Sequence, residues 1–561
     1  MPPLTRARAA AEAPSLLDAL ARAPAAAALV VAALQDERAD AYGFKDNRDV
    51  KALRLVHTQL RDAVGEATTK IEVGSRAAAA AAPARPPTPA RWPHLEALCL
   101  RGLDLPALEA LGSETCGSLR KLRVAGSPFI FDAPCALAAA MRRMPALRAL
   151  ELRYCPLSDA ALAGDAAAAL FGASSAEDAP QLRTLRISNA ILTPAAARLL
   201  AATGWQLEEL DLSYNHQLGA AGLAALLVAP TFALRRLVLS QCGLRAADIL
   251  TVANAPWPLA ELDLSANDFR SAAAAPALAA LSRRVGLRRL DVGDCRLSAA
   301  GFKALVEAAW PALTSLCMRR AVVAFDGPHA LGAAAFAGFP ALEELDLSYV
   351  ALGEAGAALL ASRRWARLWA LCLRQAQLDA AGLTALVRGA WPALEDMDLS
   401  HNDLSSAAAA PALAALSRHV GLRRLNITYC QLSAAGFKAL AEASWPALTS
   451  LRAVNAQAAF DGAHALDAAA AFTGFPALEE LDLAHVALGE AGAELLPRRH
   501  WARLKRLYLG VTRLGDAGVA ALARGAWPAL ELLILISNDL CTPPTLEDAR
   551  RWAPLLAELR L

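Results

Sequence analysis

Two short segments carry side chains of the types that bind transition metals. Asp326 and His329 flank Gly-Pro, and Asp461 and His464 flank Gly-Ala. An aspartate oxygen and an imidazole nitrogen are common zinc ligands, but the segments are two copies of one loop, so one ordinary polar loop explains both. The sequence has no Gly-x-x-x-x-Gly-Lys-Ser/Thr, His-Glu-x-x-His or Gly-x-Ser-x-Gly motif, and its nine histidines are scattered. We therefore predict no catalytic residues, no metal site and no cofactor, and a protein that is not an enzyme.

Repeats are the elements that would position any binding residues. The pattern Leu-x-x-Leu-x-Leu occurs 18 times from Leu95 onward, mostly at spacings of 24 to 30 residues. The alternating leucines predict a short strand, and the Ala/Leu-rich half that follows predicts a helix. Because one unit cannot bury its apolar face alone, the units are expected to stack around one continuous core.

A polar or thiol residue recurs three residues after the last leucine of the motif. This slot holds Asn215, Asn267, Asn402, Asn538, Cys155, Cys242, Cys295 and Cys430. A buried amide or thiol there can bond backbone groups of the turn between repeats. These motifs resemble the leucine-rich-repeat family, in its ribonuclease-inhibitor-like and cysteine-containing subclasses, over about residues 92–561. The resemblance implies an α/β solenoid, a horseshoe with a parallel sheet on the concave face and helices on the convex face.

Glycine and tryptophan also recur in register. A glycine in the helical half predicts close packing between helix and strand; it occurs at residues 222, 301, 356, 382, 436, 492 and 518. Ten of the eleven tryptophans lie just before a strand motif: Trp92, Trp205, Trp257, Trp310, Trp365, Trp391, Trp445, Trp501, Trp527 and Trp552. A ladder for stacking nucleic-acid bases is one interpretation. Their regular register and apolar neighbours favour a packing role instead.

Charged residues alternate along the expected concave face. Counting the first leucine as position 1, strand geometry assigns positions 3, 5, 7 and 8 to that face. Positions 3 and 5 are acidic in five repeats (Glu209/Asp211, Glu261/Asp263, Glu344/Asp346, Asp396/Asp398 and Glu480/Asp482), whereas others contribute Arg236, Arg289, Arg424, Arg452 and Arg506. Neighbouring strands lie about 4.8 Å apart, so Arg236 should lie beside Glu209 and Glu261, and Arg289 beside Glu261. We predict a self-neutralising ladder of charges.

Position 8 is rich in aromatic and other large polar side chains. It holds Tyr154, Tyr214, Tyr349, His401, Tyr429 and His485, interleaved with Arg320, Gln375 and Asn455. Because tyrosine and arginine are enriched among binding hot spots, we predict a protein-binding row on the concave ridge. The alternative is a set of individually unimportant surface residues.

Five consecutive repeats are duplicated as a block. The motifs that begin at Leu259 and Leu394 are 135 residues apart, as are those at Leu287 and Leu422. Whole segments match, including Phe-Asp-Gly at residues 325–327 and 460–462.

The chain before the repeats has a different character. We predict a helical module over residues 1–73, an Ala/Pro-rich linker over 74–91 and the repeat domain over 92–561. Val50, Leu53, Val56, Leu60 and Val64 follow helical intervals. Residues 68–73 predict a short strand that caps the sheet.

This module resembles the latter half of an F-box. The matching residues are Ala52, Leu53, Leu55, Val56 and Arg61. The departures are a missing Leu-Pro-x-Glu opening, and His57 and Leu60 where that family commonly has cysteine and tryptophan. The resemblance implies that Leu53, Leu55, Val56 and Leu60 contact the adaptor subunit of a cullin–RING ubiquitin ligase. A plain helical cap of the solenoid is the alternative.

Composition excludes several classes of protein. The 56 basic and 54 acidic residues give a net charge of +2, which argues against a nucleic-acid binder. The longest apolar run, residues 25–34, is half of the roughly 20 residues that a membrane span needs. The ten cysteines form no Cys-x-x-Cys pair, which favours a reduced intracellular compartment, the cytoplasm, cytoskeleton, cilium or nucleus. The last strand motif ends at Leu561, which indicates either a truncated sequence or a covered sheet edge.

Together these patterns predict a non-catalytic protein-interaction scaffold whose concave face binds another protein. Its most specific form is the substrate receptor of an SCF-type ubiquitin ligase. The alternatives are a structural or regulatory repeat protein of a cytoskeletal or ciliary assembly and, more distantly, an enzyme.

Overall fold

The computed structural model describes residues 70–73, 95–101, 115–126, 134–155, 181–229, 231–321, 331–456, 466–467, 469–538 and 540–561. They form two compact units. The first contains the described residues up to Leu244 together with Ala255–Leu259, and the second contains Arg245–Asn254 and Ala260–Leu561. In the described part of the chain, every helix is too short or too polar to cross a lipid bilayer.

Seven strands of the first unit form a parallel sheet in chain order. They are β1 (Lys70–Val73), β2 (Ala97–Arg101), β3 (Lys121–Ala125), β4 (Ala149–Arg153), β5 (Thr184–Ser188), β6 (Glu209–Asp211) and β7 (Arg236–Val238). The described helices are α1 (Pro134–Arg142), α2 (Pro194–Ala201) and α3 (Gly219–Leu227). The strand predicted at residues 68–73 is present as β1, and it pairs with β2.

The second unit repeats the same arrangement over twelve strands, again parallel and in chain order. They are β8 (Glu261–Asp263), β9 (Arg289–Asp291), β10 (Ser315–Cys317), β11 (Glu344–Asp346), β12 (Ala370–Cys372), β13 (Asp396–Asp398), β14 (Arg424–Asn426), β15 (Ser450–Arg452), β16 (Glu480–Asp482), β17 (Arg506–Tyr508), β18 (Leu532–Ile534) and β19 (Glu558–Arg560). The α-helices are α4 (Ala246–Ala253), α5 (Ala274–Leu281), α6 (Ala299–Glu307), α7 (Gly353–Ala361), α8 (Ala380–Leu386), α9 (Ala410–Leu416), α10 (Ala434–Glu442), α11 (Gly489–Leu495), α12 (Gly515–Leu522) and α13 (Leu546–Arg550).

The leucines of the motif form the core of each unit. The middle residue of nearly every short strand is buried, and the residues on either side of it are mostly half-exposed. Strand alternation produces this pattern when one face of a sheet is covered. The α/β leucine-rich-repeat fold predicted from the sequence is therefore confirmed. We call the uncovered face, which carries positions 3, 5 and 7, the open face.

The asparagine and cysteine slots join consecutive repeats through buried hydrogen bonds, as predicted. The side-chain oxygen of Asn402 accepts from the backbone N–H groups of Ala376 and Leu378 at 2.9 and 3.0 Å. Its amide nitrogen donates to the carbonyls of Leu373 and Leu399 at 2.8 and 2.7 Å. Asn215 and Asn538 repeat this arrangement, and the thiols of Cys242, Cys295 and Cys430 donate to one carbonyl of the preceding repeat.

The recurrent glycines have a different role from the one predicted. The N–H of Gly301 donates to the hydroxyl of Ser298, and that of Gly436 to Ser433, each at 3.2 Å, which caps the start of the helix. A Cβ atom at Gly518 would lie 2.9 Å from the side chain of Leu514, just before its own helix. The tight neighbour is thus the residue that precedes the helix or lies in an adjacent helix, so the prediction of close helix–strand packing was wrong.

Eight of the ten tryptophans pack in the core, which confirms the packing interpretation for them; Trp552 is half-buried, and Trp92 lies outside the described residues. Eight of those predicted to pack are at most 4% exposed: Trp205, Trp257, Trp310, Trp365, Trp391, Trp445, Trp501 and Trp527. Five of them also donate from Nε1 to the carbonyl five residues earlier, at the end of the preceding helix. Each indole therefore satisfies one of the carbonyls that a helix end leaves without a partner.

Candidate functional site

Position 8 adopts the left-handed backbone conformation in every described repeat that contains it. Sixteen residues, from Gly126 to Ser537, have φ between 50 and 63°. The backbone N–H of this residue donates to the position-7 carbonyl of the next repeat, as from Tyr349 to Arg374 at 2.7 Å and from His401 to Thr428 at 2.9 Å. Fifteen of the sixteen are not glycine, although a left-handed non-glycine residue is strained by about 1 kcal/mol. The inter-repeat hydrogen bond holds this conformation in place.

This conformation corrects the reasoning that assigned position 8 to the open face. Strict alternation would direct positions 7 and 8 to opposite faces. The left-handed residue interrupts the alternation, and so its side chain reaches solvent although its neighbours at positions 6 and 9 are buried. Tyr154, Tyr214 and Tyr429 are 64, 49 and 44% exposed.

Four of the predicted position-8 residues form a connected row in the second unit. The Arg320 guanidinium lies 4.8 Å from the ring centroid of Tyr349. Arg374, at position 7 of the next repeat, donates to the Tyr349 hydroxyl at 3.2 Å and lies 3.0 Å from Nε2 of His401. The rings of His401 and Tyr429 are 5.0 Å apart. We call Arg320, Tyr349, Arg374, His401 and Tyr429 the ridge row.

His401 is the one imidazole of the ridge row, and it is uncharged at neutral pH. Burial and the adjacent Arg374 charge lower the pKa of His401 below its ordinary value. A neutral imidazole can accept the Arg374 hydrogen bond through Nε2. The row therefore presents three flat rings with one guanidinium group between Tyr349 and His401 and another at the end beside Tyr349, and cation–π attraction stabilises the contacts with Tyr349.

The other predicted residues occupy the same slot outside these contacts. Gln375, Asn455 and His485 are exposed in the second unit, and Tyr154 and Tyr214 are exposed in the first. Sequence reasoning missed Arg374 because only position 8 was counted. An arginine count at position 7 would have found it. Leu53, Leu55, Val56 and Leu60, and both Asp-Gly-x-His loops, lie outside the described residues.

The predicted charge ladder is present, with one difference in pairing. Glu480 accepts hydrogen bonds from Arg452 and Arg506 at 2.8 and 2.9 Å. Arg289 lies opposite Glu261 in the register, but its guanidinium donates to Glu344 two strands away at 2.7 Å. Position 3 of the intervening strand is the small Ser315, which leaves room for that reach.

Other contacts of the charge ladder join residues on directly neighbouring strands. Arg424 donates to Asp396 at 2.8 Å, and Arg236 lies opposite Glu209. The predicted proximity of Arg236 to Glu261 stays a prediction.

The first unit contains a denser cluster that sequence reasoning missed. The Glu151 carboxylate is 1% exposed and contacts Lys121 at 2.8 Å, Arg123 at 2.5 Å and Arg186 at 3.3 Å. Burial alone would raise the pKa of Glu151, but the hydrogen bonds from Lys121 and Arg123 outweigh it and lower the pKa below its ordinary value. Applying the position 3 and 5 count to the repeats at Leu119, Leu147 and Leu182 would have found this cluster.

Position 5 also has a structural role. The Asp291 carboxylate accepts the N–H of Gly293 at 2.8 Å, and Asp263, Asp346 and Asp398 make the same bond two residues on. Burial, together with the adjacent negative charge of Asp263, raises the pKa of Asp291 although the Gly293 bond lowers it. In the duplicated block, Asn426 stands in place of Asp291 and donates to Asp398 at 3.1 Å.

We expect Asp291→Asn to stabilise the protein at neutral pH. A raised folded-state pKa means that the fold disfavours the ionised carboxyl, so wild-type stability falls as the pH rises through that pKa. The amide removes this loss and can donate to Asp263, and the gain should be about 1 kcal/mol at pH 7. It should shrink as the pH falls to about 3, where carboxyls are protonated. Unfolding midpoints across this pH range measure the effect.

The matched reverse change is Asn426→Asp. It places a second carboxylate beside Asp398 and should lower the midpoint at pH 7. Equal midpoints for wild type and Asp291→Asn at pH 7 would contradict the assigned repulsion.

The two duplicated blocks differ most at position 8. Position 8 differs in all five corresponding pairs: Ala266/His401, Asp294/Tyr429, Arg320/Asn455, Tyr349/His485 and Gln375/Val511. The buried position 4 differs in one pair, Leu262/Met397. The buried position 6 differs in two pairs, Val292/Ile427 and Met318/Ala453. The core has therefore changed less than position 8, which indicates that the fold does not fix the identity of the position-8 residues.

Within the described ranges, no group of three or more histidine, cysteine, aspartate or glutamate residues is arranged to hold a metal ion.

Burial raises the pKa of the Cys372 thiol to about 11, and it also raises the pKa of the Cys317 thiol. Both position-5 thiols are therefore protonated at neutral pH and are poor nucleophiles.

The sequence has recognisable relatives. A family model described as "Leucine Rich repeat" matches residues 207–227 and 422–441. A ribonuclease inhibitor of Sus scrofa is 28% identical over 383 residues, which cover 55% of this chain and 77% of that protein.

Solved structures with a similar backbone include two distant repeat proteins. A TLR13–ssRNA13 complex matches 84% of this chain and 65% of that one, just under two thirds of its length, with 17% identity and a TM-score of 0.43. An internalin from Listeria monocytogenes matches 60% of this chain and 82% of that one, with 14% identity and a TM-score of 0.38.

Proposed function

Because the chain is a leucine-rich-repeat protein of the ribonuclease-inhibitor-like type, we propose that it is a non-catalytic scaffold that binds another protein through the ridge row. The observation that carries this proposal is the connected set of rings and guanidinium groups from Arg320 to Tyr429. Tyrosine and arginine are enriched in binding hot spots. Tyrosine brings a large contact area with few rotatable bonds, and arginine brings several hydrogen-bond donors.

Two further observations support a binding role. Left-handed tyrosine and histidine residues are strained where glycine would be relaxed, so the fold alone does not favour them. The divergence of position 8 between the duplicated blocks also suits a partner whose surface does not repeat along the row.

The test is affinity capture from extract of the source cells with the full chain and a triple variant, Tyr349→Asn, His401→Asn and Tyr429→Asn. Asparagine tolerates left-handed backbone, and Asn455 already occupies this slot. Loss of three hot-spot side chains should weaken affinity for the captured protein at least about 100-fold, with the unfolding midpoint retained. The control variant, Asn189→Ala with Gln241→Ala, changes position 8 in the first unit, outside the ridge row, and should leave the affinity unchanged. Unchanged affinity in the triple variant contradicts the proposal.

The more specific proposal is a substrate receptor of an SCF-type ubiquitin ligase. It rests on the resemblance of the N-terminal module to an F-box, in which Leu53, Leu55, Val56 and Leu60 would contact the adaptor. The full chain should then capture an adaptor–cullin complex, and Leu55→Asp with Val56→Asp should abolish that capture without changing binding at the ridge row.

A known F-box protein serves as the positive control for this experiment. If that control captures the adaptor and the full chain does not, the ligase role is wrong and the scaffold proposal is unaffected. A cytoskeletal or ciliary assembly would then be the alternative to examine.

A further inference from the structure

Four basic side chains converge on the open face of the first unit, in a different unit from the ridge row. Lys121 and Arg123 come from β3, Arg153 from β4 and Arg186 from β5. We call them the cationic patch. In the register of the sheet, Arg123, Glu151 and Arg186 lie side by side on three neighbouring strands, and Arg153 follows Glu151 by two residues on the same face.

The buried Glu151 holds three of the four cations in position. Its two oxygens contact Lys121, Arg123 and Arg186, which limits the rotamers that those long side chains can adopt. Arg186 has a second contact, to Glu209 at 3.4 Å. The cations are thus oriented before any ligand arrives, and pre-orientation reduces the entropy lost on binding.

The patch has more positive charge than its carboxylates neutralise. Four cations face the buried carboxylate of Glu151, the half-exposed carboxylate of Glu209, and Asp211, which lies opposite Arg186 in the register, and this leaves a net charge of +1. The Nε atom of Arg153 is buried and has no hydrogen-bond partner among the described residues. A buried guanidinium donor without a partner is costly, and an anion seated on the patch would supply the missing acceptor charge.

The described residues around the patch leave it accessible. Ala125 and Ser188 flank Arg153 in the register, and Gly126 follows Ala125. Because these side chains are short, the surface beside the longer basic side chains is a shallow depression. Tyr154 is 64% exposed at the edge of the patch and offers a flat apolar surface to the chain that carries the anion.

We propose that the cationic patch binds an anionic side chain, a carboxylate or a phosphoryl group, in an extended segment of a protein partner. This inference rests on the proposed function, in which the chain is a scaffold that binds another protein. A guanidinium pair with a carboxylate or phosphate makes charge-assisted hydrogen bonds that are among the strongest in proteins.

The extent of the patch favours a peptide over a nucleic acid. The patch spans three strands, or about 10 Å. On the next strand, Glu209 and Asp211 turn the open face acidic. A nucleic-acid backbone needs a continuous basic track, whereas one or two anionic side chains fit within this width.

The test is fluorescence anisotropy of the full chain with four labelled probes. They are a peptide rich in glutamate, the same peptide with the glutamates replaced by glutamine, a peptide with phosphoserine in that neutral background, and a single-stranded RNA. We expect saturable, salt-sensitive binding of at least one anionic peptide and none of the glutamine peptide. Arg153→Gln with Arg186→Gln should weaken that binding about tenfold or more. Arg424→Gln, which breaks an arginine–carboxylate contact on the open face of the second unit, should leave it unchanged.

Each result decides the matter. Binding of the glutamate peptide or of the phosphoserine peptide supports the patch and identifies the source of the anion. Absence of binding to both, tighter binding of RNA, or an equal effect of Arg424→Gln overturns it. Since the ridge-row variants retain the patch, loss of peptide binding only in the Arg153/Arg186 variant separates this inference from the scaffold proposal. Unchanged unfolding midpoints show that the arginine variants are folded.

Discussion

Replacing Asn402 by alanine should destabilise the protein by about 3–5 kcal/mol, one of the largest effects that a single change can have here. The side chain is 3% exposed and makes four hydrogen bonds to backbone groups, three of them in the preceding repeat. Alanine leaves two N–H groups and two carbonyls buried without these partners. Urea or thermal unfolding measures the change. If the repeats up to β12 and those from β13 onward unfold in separate transitions, the coupling between these two repeats is broken.

Asn402→Cys is the matched control, because cysteine occupies this slot in other repeats. The Cys430 thiol donates to Leu399 at 3.0 Å, so a thiol at residue 402 should regain one bond and give an intermediate stability. An Asn402→Ala protein as stable as wild type, or an Asn402→Cys protein no better than the alanine variant, would mean that these bonds do not hold the repeats together.

The second large effect is expected at Trp445, where alanine should cost about 3–5 kcal/mol. The indole is 1% exposed, stacks on Phe475 with ring centroids 6.4 Å apart, and donates from Nε1 to the Leu440 carbonyl at 3.0 Å. Truncation removes the ring, opens a cavity and leaves a helix-terminal carbonyl without its partner. The unfolding midpoint is the measurement.

Phenylalanine substitutions separate the ring from the hydrogen bond. Trp445→Phe keeps most of the ring and loses the bond to Leu440, whereas the Nε1 of Trp391 has no hydrogen-bond partner among the described residues. We therefore expect Trp445→Phe to cost about 1 kcal/mol more than Trp391→Phe. Equal costs would argue that the indole N–H contributes nothing at the helix end.

Much of the fold follows from apolar periodicity. Leucine spacing predicts the strands and their register because a one-residue slip would expose the whole buried set. The same argument predicts that Trp310 and Trp527 pack in the core, since they recur at one place before the strand. The bonding role of Asn402 follows from the chemistry of an amide that must be buried.

The features that sequence reasoning missed depend on three-dimensional detail. Nothing in the intrinsic preference of tyrosine indicates the left-handed conformation of Tyr349, which the next repeat imposes through a backbone hydrogen bond. The link through Arg374 and the reach of Arg289 to Glu344 depend on rotamers and on a small neighbour. Such contacts join residues of different repeats, one or two strands apart, and counting positions within one repeat cannot reveal them.

The left-handed residue at position 8 has a consequence for how this protein can change. Its backbone is fixed by a bond between main-chain atoms, so exchanging one non-glycine side chain for another has little influence on whether the repeat forms. Mutations there can accumulate and be sorted by their effect on a partner, one strand at a time, while the core stays intact. Under the proposed function, tolerance to mutation and specificity for a partner reside at the position-8 residues of the ridge row, and such a scaffold can acquire a new partner without a new fold.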